Sequence, residues 1–300
     1  MSEAPTAGFL LVDKPGGWTS HDVVAKIRAS TGAKAGHAGT LDPMATGLLV
    51  VGLGRSTRLI RFVQGQAKEY VARARLGVAT DSLDADGAIL SRSPLPVDEA
   101  AVRGAMERFV GDIMQIPPMV SAKKVGGKRL YALAREGVEV ERSPRPVTVY
   151  EFELLDLAPC DYPEIEFRAV VSTGTYIRTL ADDLAQALGG HAHLTSLRRT
   201  RIGALRVDAA STLEAIEEAV SAGTLDELVV APADALSPMP RIVVTEELAA
   251  AAAHGVALPL PAVGAEVPDD APITLLDPSG AMLGVFRSRG GVLRPEVVTA

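Results

Sequence analysis

A chain of 300 residues, 47% of them hydrophobic, can bury a substantial core and fits about two domains. No apolar run approaches the ~18 residues a membrane span needs, and MSEAPTAGFLLVDKPGG lacks a basic flank followed by a signal-type stretch, so a cytoplasmic protein without a membrane partner is expected. One cysteine, Cys160, excludes an internal disulfide and a thiolate cluster, whereas the net charge of -7 excludes a nucleic-acid partner only if the charge is evenly spread.

In chain order, FLLVD (9–13) reads as a buried strand. Thr19-Ser20 then caps a helix carrying Val23, Val24 and Ile27 on one face until Gly32 stops it. The stretch 36–47 reads as a glycine-rich loop, and a short helix ending near Gly65 follows LLVVGLG. In KEYVARARLG (68–77), strict alternation puts Tyr70, Ala72, Ala74 and Leu76 on one face and Val71, Arg73 and Arg75 on the other, the pattern of a half-exposed strand. Helix signals return at 97–111, and the prolines of QIPPMVSAKK keep the next segment extended. Residues 123–146 read as an excursion with Gly126-Gly127, a short helical piece RLYALAREG and seven basic residues. Strands at 147–157 and 163–173 precede a helix at 176–188 closed by Gly189-Gly190. After SPMP (237–240) comes a tail with an Ala-rich helix (246–253) and short β-like pieces, which describes a small β-rich domain over 241–300. With neither a fixed repeat nor a regular βαβ rhythm, the fold class is α+β.

The charge is uneven. Residues 207–240 hold seven acids and no Lys or Arg, and 241–300 hold seven acids and four arginines. The first 206 residues keep 26 basic and 23 acidic side chains, with clusters at 123–145 and at Arg198, Arg199 and Arg201. A polyanion can dock there despite the acidic total.

The segment GHAGTLDPMATG (36–47) presents a carboxylate, Asp42, on a loop whose three glycines permit close backbone approach to a ligand. Taken alone, an Asp-Pro pair is usually a turn former, and the absence of a following Gly-Lys-Ser/Thr argues against a phosphate cradle. Asp84 and Asp86 resemble a metal pair but lack further oxygen ligands at the right spacing, and His191 and His193 have no ligand companions, so no metal is expected.

The whole segment resembles the GH-x-G-x-LDP-x-ATG-x-L motif of the TruB family of pseudouridine synthases. Further blocks resemble that family in the same order: LLVDKPGGWTSHD (10–22), KEYVARARLGVATDSLDADG (68–87), IPPMVSAKKVGGKRLYALAREG (116–137), STGTYIRTLADDL (172–184) and HLTSLRRTRIG (193–203). The likeness spans about 9–215, and the tail resembles a PUA-like RNA-binding module more loosely. It implies a pseudouridine-synthase fold over 9–236, with a mixed, mainly antiparallel central sheet flanked by helices, a mobile RNA-binding insertion at 123–146 and a PUA-like domain at 241–300. The implied activity is isomerisation of uridine 55 in the T-loop of tRNA to pseudouridine, by breaking N1–C1′ and forming C5–C1′, with no cofactor and no obligate protein partner, by a monomer. Asp42 is the implied catalytic carboxylate. Tyr70 stacks on the uracil and is a candidate for taking the C5 proton, although an isolated strand tyrosine would read as core. Arg178 pairs with Asp42, the plain alternative being an i,i+4 pair with Asp182. Tyr176 and Leu197 wall the base pocket, and His37 meets nucleotides flipped out of the loop. Lys14 contacts substrate or supports the Asp loop, and Lys123, Lys124, Lys128 and Arg129 bind the RNA backbone.

Two other classes remain open from sequence: a catalytically silent RNA-binding module, and a glycoside hydrolase with a carboxylate pair. Within the family, guide-dependent relatives read DPKVTG where this chain reads DPMATG, which favours the stand-alone bacterial type.

Overall fold

A computed structural model describes residues 7–118, 142–264 and 266–299, together with the backbone of 124–125 and 128–129. The first strand, β1 (Phe9–Lys14), is apolar because it lies inside a sheet, and α1 (Ser20–Thr31) begins at a capping box in which Thr19 and Asp22 bond reciprocally. Gly32 ends α1 at φ 67, a conformation that favours glycine. Next come β2 (Ala35–His37), β3 (Thr46–Leu53), a 3-10 turn and α2 (Ile60–Gln64). The glycine-rich stretch is therefore not all loop. Ala35–His37 pairs antiparallel with β3, which shortens the free loop to 38–45.

In β4 (Lys68–Leu76) buried residues alternate with partly or fully exposed ones, with Tyr70, Ala72, Ala74 and Leu76 inside. A small hairpin, β5 (Val78–Thr80) and β6 (Ile89–Arg92), leads to α3 (Glu99–Glu107), which is shorter than the 97–111 pattern because Asp98 caps it and Gly111 opens β7 (Gly111–Gln115). Of the excursion, only the backbone pairing of β8 (Lys124–Val125) with β9 (Lys128–Arg129) is described. The helical piece expected at RLYALAREG lies outside the described residues. The chain returns through β10 (Arg145–Ala158), β11 (Glu164–Val171), α4 (Ile177–Ala187), β12 (Ala192–Ile202) and β13 (Leu205–Arg206). A helix at Leu213–Ala222 and β14 (Val229–Val230) follow.

The main sheet has ten strands in the order β14-β1-β3-β12-β4-β11-β10-β7, with β2 on β3 and β13 on β12. Its β12/β3 pair is parallel and its other described pairs are antiparallel. This is the mixed, mainly antiparallel sheet of an α+β protein. The apolar face of β4, β11 and β12 packs against α3 and α4, and Leu10, Val12 and Leu49 pack against α1 and the Leu213–Ala222 helix.

The tail folds into a second sheet, β15 (Arg241–Val243), β17 (Pro272–Leu276), β18 (Met282–Arg289), β19 (Val292–Val298) and β16 (Leu258–Pro259), in that spatial order, covered by the Ala-rich helix Glu246–Ala253. Its Val285 and Val297 enter the same apolar cluster as Phe9, Leu48 and Val50 of the main sheet. Among the described residues, no helix is long and apolar enough to cross a membrane.

Candidate active site

Asp42 sits at the turn between β2 and β3, where Ala45 N–H donates to its carbonyl at 3.1 Å. Three side chains from outside the loop pin it from behind. Ser20, first residue of α1, brackets Leu41 by accepting from its N–H at 2.9 Å and donating to its carbonyl at 3.1 Å. Lys14, at the end of β1, donates to the carbonyls of Pro15, Trp18 and Pro43. Arg199, on β12, is fully buried and donates to Gly39 O at 3.0 Å and Leu48 O at 2.8 Å. Beneath the loop, Gly47 at φ +96 lets β3 pass so close to β12 that a Cβ would stand 2.3 Å from the Arg199 carbonyl oxygen.

The Asp42 carboxylate meets Arg178, in the first turn of α4, at 3.1 Å, and 36% of its side-chain surface stays open. The same guanidinium binds Asp84 at 3.0 Å and donates to Ser82 O at 2.7 Å. Asp84 is itself held by Ser82 Oγ and the Asp86 N–H. Asp182, the other partner considered for Arg178, accepts from Gln186 and the Ala192 N–H and faces His191. Burial raises the Asp42 pKa above its ordinary 3.8. Arg178 lowers it, but only in part, because Asp84 shares that cation and adds its own negative field.

A cavity of about 250 Å³ opens over Asp42. Tyr70, Tyr176, Ile177 and Leu197 line its apolar side, and Thr40, Gln64, Lys68, Thr173 and Arg199 its polar side. Strand register produces this grouping: Arg199 stands opposite Tyr70 and Leu197 opposite Ala72, on the same face of β12 and β4. Thus Asp42, Tyr70, Arg178, Tyr176 and Leu197 come together as expected from sequence. His37 lies outside the lining, at the end of β2, with its ring 5.3 Å from that of His21 and its Nδ1 buried. Burial pushes the His37 pKa down to about 4. Lys14 is also outside the lining and wholly buried, so its geometry is that of a support beneath the loop. Lys123 lies outside the described residues, as do the side chains of Lys124, Lys128 and Arg129.

One part of the basic-cluster reading needs correction. Arg199 points inward, Arg198 forms a two-pronged pair with Asp13, and Arg201 pairs with Glu69. Arg199 is thus withdrawn from the surface, while Arg198 and Arg201 stay partly open beside their carboxylates. The sequence reading also missed Asp84 as the second carboxylate on Arg178, and Lys68, a buried amine bonded to Gln64 O and Gln66 O. Alternation alone could have found Lys68, which shares a face with Tyr70. Nothing local could have found Asp84.

The fold is that of the pseudouridine synthases. A solved Cbf5–Nop10–Gar1 complex superposes with a TM-score of 0.79 at 27% identity, covering 97% of this chain and 84% of that one. An H/ACA ribonucleoprotein bound to a substrate RNA containing 2′-deoxyuridine gives 0.77 at 26%, covering 98% and 85%. The model of the TruB family pseudouridylate synthase N-terminal domain matches residues 26–177, and that of the tRNA pseudouridylate synthase B C-terminal domain matches 178–243. The chain belongs to the TruB family. It is similar to the tRNA pseudouridine synthase B of Leifsonia xyli, 46% identical over 97% of this chain and 96% of the relative. For that of Thermobifida fusca the identity is 42% over 98% of each.

Proposed function

We propose that this chain isomerises uridine 55 in the T-loop of tRNA to pseudouridine, acting as a stand-alone cytoplasmic monomer without a cofactor. The observation that carries the reading is one carboxylate, Asp42, held against Arg178 and facing a cavity flanked by two tyrosines, in a chain 40–46% identical to relatives named tRNA pseudouridine synthase B. The reaction breaks N1–C1′, turns the base within the pocket and bonds C5 to C1′. The proton leaves C5 and N1 gains one, so the product keeps the mass of uridine. Asp42 supplies the carboxylate that acts on the nucleoside. Arg178 orients it, and Tyr70 stacks on the uracil, with its hydroxyl available for the C5 proton. Tyr176 and Leu197 retain the free base during rotation, which needs a closed apolar slot. His37 contacts the unpaired loop nucleotides, and Lys14 acts through the Asp loop. The basic side chains Lys123, Lys124, Lys128 and Arg129 bind phosphates of the T-arm. The catalytic part is assigned to 9–236, with its RNA-binding insertion at 123–146 and a PUA-like domain at 241–300.

The guide-dependent reading has less support, since the Cbf5–Nop10–Gar1 and H/ACA ribonucleoprotein structures share only 26–27% identity with this chain. A T-arm RNA carrying uridine tritiated at C5 tests the proposal. Tritium release with a carbon-linked product isomeric with unlabelled uridine is expected. No release, or release of free uracil as a hydrolase would give, overturns it.

A further inference from the structure

Gln115 is the last residue of β7, the edge strand of the main sheet, opposite Arg145 where the chain rejoins it. It is 2% exposed and does not line the cavity. Its amide faces the backbone of Tyr176 in both directions. Gln115 Oε1 accepts from the Tyr176 N–H at 2.7 Å, and Nε2 donates to the Tyr176 carbonyl at 3.1 Å. That carbonyl already accepts the first helical bond of α4, from Leu180 N–H at 3.0 Å.

Tyr176 is the N-cap of α4 and makes no side-chain cap of its own, and Gln115 supplies from another element the acceptor that the N3 side chain of a capping box gives the N-cap N–H. The chain before it has few other anchors. Ser172 is bonded to Thr148 of β10, whereas Thr173 and Gly174 are exposed at the cavity. The chain entering Tyr176 is therefore fixed at Ser172, to which Thr175 bonds back, and at Gln115, whereas Arg178 has its own anchors in Ser82 and Asp84.

We propose that Gln115 is a positioning residue for the reaction: its amide locks the Tyr176 backbone and thereby sets the place of the Tyr176 side chain in the cavity over Asp42. A nucleobase that must be released, turned and recaptured tolerates little slack, since misplacement by about 1 Å can cost on the order of a hundredfold in rate. Loss of the clamp acts on the chemical step more than on RNA affinity, because Gln115 is not itself part of the cavity lining.

The inference rests on the reading of the cavity as the uridine site. The test measures single-turnover tritium release and T-arm affinity for wild type, Gln115→Met, Gln115→Glu, Tyr176→Leu and the Gln115→Met/Tyr176→Leu double variant, with melting temperatures alongside. Gln115→Met fills the same space without either bond and is expected to slow release by about tenfold or more, with affinity within about twofold of wild type. Gln115→Glu keeps an acceptor for the Tyr176 N–H and should lose less, which holds the test open if the Met variant folds poorly. In the Tyr176→Leu background the Met substitution should cost almost nothing further, because both changes act through one side chain. An unchanged rate, affinity falling in step with rate, or a full tenfold loss persisting beside Tyr176→Leu overturns the clamp. Absence of release by the wild type would instead overturn the reading of the site.

Discussion

At Asp42 two forces oppose each other. Burial favours the neutral acid and Arg178 favours the carboxylate, and Asp84 divides the attention of that one cation. The proposed chemistry needs the carboxylate, so activity should be lost as pH falls through a midpoint above the ordinary 3.8. Replacing Arg178 by Gln removes the lowering charge and should move this acid limb of kcat/KM to higher pH, whereas Asp84→Asn removes a raising charge and should move it to lower pH. Shifts of the opposite sign in the two variants would show that another group sets the limb. The same sign applies to stability. A carboxyl group whose folded pKa is raised costs stability above its unfolded pKa, so Asp42→Asn should melt no lower than wild type at neutral pH. Lys14 and Lys68, each pushed down to about 8 by burial, should set a decline of kcat/KM on the alkaline side as they lose their protons, whereas their contribution to stability rises with pH between about 8 and the ordinary 10.5.

At the scale of elements, the site is a loop held in place by the ends of its neighbours: β1 contributes Lys14, α1 contributes Ser20 and β12 contributes Arg199. Arg199→Met should destabilise the fold by about 2–4 kcal/mol in urea unfolding, because two carbonyls lose a fully buried charged donor. A loss below about 0.5 kcal/mol would mean that the loop carries its own conformation. Much of this framework was legible in sequence. The alternation of β4 placed Tyr70 inward, Thr19 and Gly32 bounded α1, and the motif around Asp42 identified the loop. The register of β12 against β4 was not legible, because the bulges in that pairing come from packing between distant segments. A run of arginines in LRRTR therefore read as surface, although alternation along β12 sends Arg199 inward beside Leu197. Gln115 stayed invisible for the same reason, since its partner is 61 residues away.

For the whole molecule, the question is how a chain of net charge -7 holds RNA. The Arg198 and Arg201 pairs with Asp13 and Glu69 leave less free positive charge on the sheet than the sequence suggests, so the proposed docking rests more on the basic residues of 123–145. Affinity for the T-arm should fall with salt at a log–log slope of about 0.7–0.9 per neutralised phosphate. Neutralising Lys123, Lys124, Lys128 and Arg129 together should flatten that slope, and an unchanged slope would locate the docking surface elsewhere. The tail is built into the body: Val285 and Val297 share a core with Phe9, and Arg58 and Arg61 reach Val298 O and Glu296. All of this positions one carboxylate. The most direct measurement is single-turnover tritium release from C5-labelled T-arm RNA by Asp42→Asn, which keeps the size of the side chain and removes its charge. The account predicts no detectable release with RNA affinity and melting temperature retained, and release at a rate comparable to wild type would contradict it.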